Sequence, residues 1–176
     1  MKINTDGTLL AVLSEKRNTT SILDIGTGTG VVALMLAQRY PDALVDAVEI
    51  DKSAADTAQK NFTNSVFSSR LTLYPASFQD FSVNQPLKKY DLIVSNPPFF
   101  INSLKNPDQQ KQTARHTDSQ FFEELVNFAF KHLQPEGIFT LILPPETGDS
   151  VKQFALKKGL FLNQVTNIRS FEHSET

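Results

Sequence analysis

Short apolar runs alternate along the chain with segments in which apolar residues recur every three or four positions. The short runs are typical of buried strands, and the wider spacing is typical of helices that bury one face. Because strands that alternate with helices build a parallel sheet, the pattern predicts an α/β fold with a mostly parallel central sheet flanked by helices.

Six strands are predicted from the apolar runs and from the glycines and prolines that close them. They cover residues 21–25, 43–50, 70–74, 90–95, 138–143 and 160–168. The first run opens directly onto a series of glycines. The fourth closes at two prolines, which lack the N–H group that a sheet requires.

Four helices are predicted between the strands from apolar stripes and from residues that favour helix ends. They cover residues 31–40, 51–62, 119–134 and 149–158, with Asp51 or Ser53 as the cap of the second and Thr117, Asp118 or Ser119 as the cap of the third. Residues 84–86 lie in a predicted polar loop. Residues 101–118 have few apolar anchors, so the sequence predicts a long mobile loop there.

Composition limits the class of protein. At 176 residues the chain predicts a single domain, residues 1–176, that is long enough to bury a core. It has no cysteine, which removes disulfides and thiolate metal sites and favours a reducing, cytoplasmic location. No apolar run approaches about 18 residues, so no membrane span is expected. A net charge of −2 argues against an overall field that attracts nucleic acid, so any such contact must be local.

A glycine-rich turn follows the first predicted strand. Asp24 precedes Gly26, Gly28 and Gly30, and glycines here let the backbone turn sharply and approach a ligand closely. The third glycine comes one residue too early for the dinucleotide-binding pattern G-x-G-x-x-G. A carboxylate ahead of the glycines is unfavourable beside a pyrophosphate but suits a sulfonium and an ammonium group. The turn therefore predicts S-adenosylmethionine rather than NAD, and a tight turn without a ligand is the alternative.

A carboxylate near the end of the second predicted strand is the next candidate. Glu49 lies about twenty residues after the glycines, where a carboxylate can accept hydrogen bonds from both ribose hydroxyls of a nucleoside cofactor. Asp51 is the nearby competitor for this role. Glu49 and the glycine turn are expected to hold the same cofactor.

The fourth predicted strand ends in Asn96-Pro97-Pro98-Phe99, at the sheet edge where ligands bind in such folds. An adenine amino nitrogen is a poor nucleophile because its lone pair is delocalised into the ring. The Asn96 side-chain oxygen and the Pro97 carbonyl can each accept one N–H and so turn the lone pair toward a methyl donor. Phe99 can stack on the base, and Phe100 assists or packs. The turn predicts amino methylation; a rigid strand exit with buried phenylalanines is the alternative.

Other polar residues carry weaker signals. His116 could contact phosphate or act as a base, but a solvated loop histidine is the favoured interpretation. His132 falls late in a helix, where it suits the negative end of the helix dipole. Lys105, Lys111 and Arg115 form a modest basic cluster, for which contact with an RNA backbone and simple solvation are equal alternatives. No group of residues has metal-site spacing, so no metal is expected.

Several segments together resemble the bacterial adenine-N6 methyltransferases that modify the anticodon loop of a valine tRNA. They are Asp24-Ile25-Gly26-Thr27-Gly28-Thr29-Gly30, Glu49-Ile50-Asp51, Ser95-Asn96-Pro97-Pro98-Phe99-Phe100, Thr113-Ala114-Arg115-His116 and residues 1–7. The resemblance implies a Rossmann-like class I methyltransferase fold, S-adenosylmethionine as donor, and tRNA methylated at the adenine immediately 3′ to the anticodon. Glutamine methyltransferases of release factors and guanine-N2 methyltransferases of ribosomal RNA also carry N-P-P turns. Both activities stay open, as does a cofactor-binding module without turnover.

The sequence departs from this family in three respects. Many class I enzymes place an aspartate after the third strand to hold the cofactor adenine, whereas Ala76-Ser77-Phe78 stands here and Asp80 comes later. Ser77 and Asn96 are also counted among the cofactor-binding residues. The usual aromatic segment before the Met-Lys stretch and the last strand are missing, so a form shortened at both ends is expected. An uncovered sheet edge would allow a dimer as well as a monomer.

Overall fold

The computed structural model describes residues 5–97 and 107–169, and within residues 107–118 it describes the backbone alone. The chain divides into two compact units. The first comprises Met1–Pro98 with Lys131–Ile142, and the second comprises Phe99–Phe130 with Leu143–Thr176. The sheet, the glycine turn and Asn96 all belong to the first unit, so the candidate site can be described within it.

Among the described residues, five parallel strands form one sheet in the order β3-β2-β1-β4-β5. They are β1 Ser21–Ile25, β2 Leu44–Val48, β3 Leu71–Tyr74, β4 Tyr90–Ser95 and β5 Leu133–Leu141. The predicted α/β class with a parallel central sheet is confirmed. Strand β1 lies between β2 and β4, so the order of strands reverses beside it. In open α/β sheets, ligands bind in the crevice at such a reversal.

Six α-helices lie within the same described residues. They are α1 Thr5–Leu13, α2 Val31–Arg39, α3 Lys52–Thr63, α4 Phe78–Asn84, α5 Pro107–His132 and α6 Pro145–Lys158, with a 3-10 turn at Ser68–Arg70. None of the helices in this part of the chain combines the length and apolar character needed to cross a membrane. In the second unit, α6 ends at Lys158 and is capped by Gly159, whose φ of 90° is the left-handed conformation typical of such caps.

The apolar core of the first unit joins the sheet to helices α1, α2 and α3. Ile22 is paired with Val45 on one side and with Leu92 on the other, and all three side chains are fully buried. Leu36 of α2 and Phe62 of α3 belong to the same buried cluster. Because each such side chain contributes roughly 1.5–3 kcal/mol when buried, this cluster fixes the central strands and the helices that follow them.

A carboxylate ties β1 to β4 at their amino ends. Asp91 Oδ2 accepts hydrogen bonds from the backbone N–H and the hydroxyl of both Thr20 and Ser21, at 2.8–3.0 Å. Burial alone would raise the pKa of Asp91, but these donors hold it below its usual value. We refer to this arrangement of Asp91, Thr20 and Ser21 as the Asp91 clamp.

The predicted ends of α2 and α3 are confirmed to within one residue. Helix α2 ends at Arg39, directly before Tyr40-Pro41, where a proline cannot continue the helix. Asp51 is the cap of α3, since its Oδ1 accepts a hydrogen bond from Ala54 N–H at 2.8 Å. The predicted strands over residues 21–25 and 90–95 coincide with β1 and β4.

The predicted loop over residues 101–118 is wrong from Pro107 onward, because α5 begins there. Thr117, Asp118 and Ser119 therefore lie inside α5 and do not cap it. Proline favours the first helical position, and glutamine, lysine, alanine and arginine favour helices. A helix with few apolar residues leaves no hydrophobic stripe for a sequence pattern to detect. Residues 101–106 lie outside the described residues.

The predicted sixth strand over residues 160–168 is also wrong, since residues 160–169 form neither helix nor strand. Apolar residues recur there as they do in a strand, but a strand also requires a neighbour to pair with, and a local pattern cannot supply one. Strand β5 begins at Leu133 rather than at residue 138. Its pairing with β4 shifts between Tyr90 and Leu92, so the segment Pro135-Glu136-Gly137 forms an irregularity within the strand.

Besides that of α5, three helix starts were not predicted. Helix α1 has a continuous apolar run, Leu9-Leu10-Ala11-Val12-Leu13, without the polar face that marks a surface helix. Helix α4 has seven residues, too few for its periodicity to be recognised in the sequence. Helix α6 begins at Pro145 rather than at residue 149, because proline is well suited to a first helical position.

Candidate active site

The predicted site residues follow the carboxyl ends of three neighbouring strands. Ile25 of β1 pairs with Val48 of β2 on one side and with Ser95 of β4 on the other. The glycine turn, Glu49 and Asn96 come directly after these three residues. Adjacent strands lie about 4.8 Å apart, so the structure brings the two sequence motifs together at one edge of the sheet.

The glycine turn consists of backbone conformations that favour glycine. Gly26, Gly28 and Gly30 have φ angles of 71°, 60° and 87°. A Cβ at Gly30 would lie 2.5 Å from the Phe62 ring of α3, so a side chain there would clash with the packing of that helix. A Cβ at Gly26 would meet nothing within 4 Å. Gly26 is therefore a position at which a ligand can approach the backbone.

Glu49 holds the glycine turn with its carboxylate. Its Oε2 accepts a hydrogen bond from Gly28 N–H and its Oε1 accepts one from Asp51 N–H, each at 2.8 Å. The residue is buried. A carboxylate offers about four acceptor positions, so roughly two remain for hydroxyl donors on a ligand. The carboxylate of Asp51, the predicted competitor, caps α3.

Asp24 lies at the end of β1 and is only 1% exposed. Its Oδ2 accepts a hydrogen bond from the Thr27 hydroxyl at 2.5 Å, and the backbone of Ala33 in the first turn of α2 also bonds to it. Burial raises the pKa of Asp24 to about 7, the Glu49 carboxylate adds to the rise, and the bonds from Thr27 and Ala33 oppose it. A cation nearby would favour the charged form of this acid.

Helix α3 supports the glycine turn through two side chains that the sequence did not single out. Asn61 Nδ2 donates a hydrogen bond to the Thr29 carbonyl at 2.8 Å, and the Phe62 ring lies against Gly30. An asparagine followed by a phenylalanine suits any helix with one buried face, so no sequence signal marks them. Thr27 was also missed, although its place between two glycines of the motif could have drawn attention to its hydroxyl.

Ser77 follows β3 and caps α4. Its hydroxyl oxygen accepts a hydrogen bond from Asp80 N–H at 3.0 Å and donates one to the Asp80 carboxylate at 2.6 Å. The carboxylate of Asp80 is thereby drawn toward the end of β3. An exposed acidic group thus stands near this strand end although Ala76-Ser77-Phe78 contains none.

Asn96 is half-buried and Pro97 is buried at the end of β4. The residue before them, Ser95, donates its hydroxyl to the Ile25 carbonyl at 2.8 Å, a contact that could not be predicted from the sequence. Six further predicted residues have no described side chain, and their roles stay predictions: Phe99, Phe100, Lys105, Lys111, Arg115 and His116.

His132 is the last residue of α5, late in a helix as predicted, and its imidazole has two hydrogen-bond partners there. It is 0% exposed, and its two ring nitrogens lie 2.8 Å from Ser82 Oγ and from the Lys88 carbonyl oxygen. Burial lowers the pKa of His132. The Lys88 carbonyl opposes this shift, whereas the charges of Lys131 and Lys89 add to it. The residue therefore belongs to the interior of the first unit and not to the candidate site.

Ile50 is a surface residue of the site that the sequence did not single out. It is 75% exposed and stands between Glu49 and Asp51. A large apolar side chain in this position offers a flat ring a surface to pack on. In the sequence it looks like the last residue of a strand.

Within the described residues, no group of three acidic, histidine or cysteine side chains could hold a metal ion.

Comparison with known proteins identifies the family. The model of the methyltransferase small domain family matches residues 4–153. A tRNA1(Val) (adenine(37)-N6)-methyltransferase from Pedobacter heparinus is 51% identical, over 98% of this chain and 73% of its own length. A protein of the same name from Bacteroides fragilis is 47% identical, over 92% of this chain and 68% of its own length. This chain belongs to the tRNA1(Val) (adenine(37)-N6)-methyltransferase family.

Solved structures confirm the Rossmann-like fold that the resemblance to the tRNA1(Val) (adenine(37)-N6)-methyltransferase family implied. TrmN from Thermus thermophilus is 21% identical with a TM-score of 0.62, covering 88% of this chain and 40% of the Thermus chain. A methyltransferase from Pyrococcus furiosus is 19% identical with a TM-score of 0.65, covering 93% of this chain and 76% of its own. At these identities the likeness concerns the fold alone.

Membership in the tRNA1(Val) (adenine(37)-N6)-methyltransferase family confirms the predicted enzyme class, an N-methyltransferase. The family also implies S-adenosylmethionine as methyl donor. An O-methyltransferase from Brevibacillus brevis, 18% identical with a TM-score of 0.52 over 78% of this chain and 40% of its own, was solved with S-adenosyl-L-homocysteine. The open space at Gly26 and the spare acceptor positions of Glu49 fit a ligand of this kind.

Proposed function

We propose that this chain transfers a methyl group from S-adenosylmethionine to N6 of adenine 37 in tRNA1(Val), in the cytoplasm. The name of its relatives supports the substrate. The observation that carries the chemistry is the pairing of Ile25 with Ser95, which sets the glycine turn and Asn96 on adjacent strand ends. A donor held by the first and an amine held by the second would meet in one crevice.

The residues at the ends of β1 and β2 would bind the donor. S-adenosylmethionine supplies an electrophilic methyl group on a positively charged sulfur. Gly26 leaves space beside the backbone, and Glu49 keeps acceptor positions for ribose hydroxyls while it holds Gly28 N–H. Asp24 is a buried acid whose charged form a cation would favour. Ile50 offers the purine ring an apolar surface.

A purine also requires polar partners, and the end of β3 is the nearest source. Glu49 N–H donates to the Tyr74 carbonyl at 3.1 Å, so the end of β3 lies beside the proposed ribose site. Ser77 and Asp80 follow Tyr74 and share a hydrogen bond. We assign Ser77 to the cofactor site through this pair, in which Asp80 supplies the acceptor oxygens.

The residues at the end of β4 would orient the amine. The side-chain oxygen of Asn96 accepts one N–H of the adenine amino group, and the Pro97 carbonyl accepts the other. This arrangement draws the nitrogen lone pair out of the ring and toward the donor. Phe99 stacks on the base in this proposal, which contributes about 1–3 kcal/mol in nucleic-acid sites. Lys105, Lys111 and Arg115 are the proposed contacts to the tRNA backbone.

The reaction needs no strong base. As the nitrogen forms its new bond to the methyl carbon, the carbon–sulfur bond would break and leave a neutral thioether. The N–H then becomes acidic, and the proton can leave to water. Asp24 and Glu49 accept hydrogen bonds from the glycine turn, so we assign them to binding rather than to proton transfer.

The direct test is mass spectrometry of nucleosides from an unmodified tRNA1(Val) transcript after incubation with the protein and S-adenosylmethionine. N6-methyladenosine should accumulate with the wild type. In Asn96→Ala its formation should fall by about a hundredfold or more, as for other lost transition-state hydrogen bonds, while donor affinity stays within about threefold. Asn84→Ala, which removes an exposed asparagine at the end of α4, is the control and should leave the rate unchanged.

Two other outcomes would redirect the assignment. Methylation of a release-factor glutamine with tRNA left unmodified would replace the adenine with a protein amide, which the same turn could orient. Tight donor binding with no methyl product on any RNA or protein would indicate a cofactor-binding module. Unchanged turnover in Asn96→Ala would contradict the orienting role of that side chain.

A further inference from the structure

A buried hydrogen bond joins the two strand ends that carry the site. Ser95, the last residue of β4, donates its hydroxyl to the carbonyl of Ile25, the last residue of β1, at 2.8 Å. The two residues are paired in the sheet, and they are 2% and 4% exposed. Gly26 follows Ile25 and Asn96 follows Ser95. The bond therefore lies one residue away from each of the two turns.

The neighbouring contacts hold the two turns separately. The Val48 carbonyl of β2 accepts hydrogen bonds from Gly26 N–H at 2.9 Å and from Thr27 N–H at 3.1 Å, which fixes the glycine turn to β2. On the other side, Ser95 pairs with Leu141 of β5. The Ser95 hydroxyl is thus a side-chain link between the half of the sheet edge that holds the donor and the half that holds the amine.

We propose that Ser95 is a positioning residue for methyl transfer, whose hydroxyl sets the separation between the glycine turn and Asn96. This inference rests on the function proposed above. Reacting atoms must approach to about 3–3.5 Å, and a displacement of about 1 Å can lower a rate about a hundredfold. Without the bond, only the backbone pairing of β1 with β4 sets their separation at this edge, whereas Glu49 and Val48 still hold the donor site. We therefore expect the loss of this bond to lower kcat and to leave donor affinity nearly unchanged.

Ser21→Ala provides a matched control for Ser95→Ala. Ser21 is the first residue of β1, and its hydroxyl links the same two strands at the opposite edge, through Asp91 at 3.0 Å. Each substitution removes one serine hydroxyl between β1 and β4. We expect Ser95→Ala to lower kcat by about tenfold or more with donor Kd within about threefold, and Ser21→Ala to keep kcat within about twofold.

Ser95→Cys is the second variant, because a thiol of similar size is a weaker donor. Its kcat should lie between those of the wild type and Ser95→Ala. If the alanine variant does not fold, Ser95→Cys replaces it in the test. Melting temperatures of all variants report the structural effect separately from kcat.

The proposal is overturned if Ser95→Ala turns over like the wild type, if Ser21→Ala loses kcat to the same extent, or if Ser95→Ala loses donor affinity in parallel with kcat. In these cases the wild type still methylates tRNA, and only the role of Ser95 is lost. A wild type that binds the donor but leaves tRNA unmethylated would overturn the proposed function and this role together.

Discussion

Asp24 is a residue whose surroundings disfavour its own charge. Burial raises its pKa to about 7 from an ordinary value of 3.8, so the folded chain keeps a proton that the unfolded chain has released between these two values. The stability that this group contributes is therefore present below about pH 4 and is lost as the pH rises through 7. At pH 8 the loss is on the order of 4 kcal/mol, taken from the shift at 1.36 kcal/mol for each unit.

This linkage gives a test on the ligand-free protein. Asp24→Asn removes the titration, so at pH 8 it should melt at a higher temperature than the wild type, and the difference should shrink toward pH 5. Thermal melts across this range measure the effect. Asp56→Asn, which makes the same substitution at an exposed position of α3, is the control. A wild type that is the more stable of the two at pH 8 would mean that folding does not raise the pKa of Asp24.

Among the structural elements, α3 packs against the glycine turn. Substitutions at two glycines of the turn test this packing and donor binding separately. At Gly30 an added Cβ would lie 2.5 Å from the Phe62 ring, in a backbone with φ of 87°. Gly30→Ala should therefore lower the free energy of unfolding by about 2–5 kcal/mol, the sum of backbone strain and overpacking. Gly26→Ala meets open space, so about 1–2 kcal/mol of strain is expected.

For donor binding, Gly26→Ala should have a larger effect than Gly30→Ala. The methyl group of Gly26→Ala enters the space assigned to the donor, so affinity should fall by about tenfold, a loss of about 1.4 kcal/mol. Urea denaturation and calorimetry on both variants provide the comparison. If Gly26→Ala binds the donor as tightly as the wild type does, Gly26 does not belong to the donor site.

The elements that the sequence predicted are those whose signals are local. The strands β1 and β4 are apolar runs closed by glycine or proline, and the start of α3 is indicated by its N-cap residue, Asp51. The first turns of α5 lack an apolar stripe, so they were predicted as loop. Residues 160–169 carry a strand pattern, but strand formation depends on a pairing partner that no local pattern contains.

The candidate site divides in the same way. Asp24, Glu49 and Asn96 were predicted as site residues because glycine and proline motifs or spacing mark them. The contacts of Thr27, Asn61 and Ser95 arise only when separate elements meet, and a hydroxyl or an amide in the sequence does not indicate its partner. Supporting residues of this kind require coordinates, whereas the candidate residues of the motifs could be proposed from the sequence alone.

At the scale of the whole molecule, charge limits how RNA can be bound. A formal net charge of −2 offers a polyanion no overall attraction, so affinity must come from local cations and from contacts to the base. Each neutralised phosphate adds about 0.7–0.9 to the salt slope. The slope of log K for tRNA against log salt concentration should therefore be shallower than about −4. Filter binding from about 50 to 300 mM KCl measures it, and a slope near −8 would indicate an extended basic track.

The Asp91 clamp has a consequence for how the first unit comes apart. The clamp links β1 to β4 at their amino ends, and Ser95 links them at their carboxyl ends. Among the described strands, β3 and β5 lie at the two edges of the sheet and have one neighbour each. Thermal fraying should begin at those edges and move inward. A partly opened molecule would then keep the two central strands joined, and with them the crevice, until the sheet gives way as a whole.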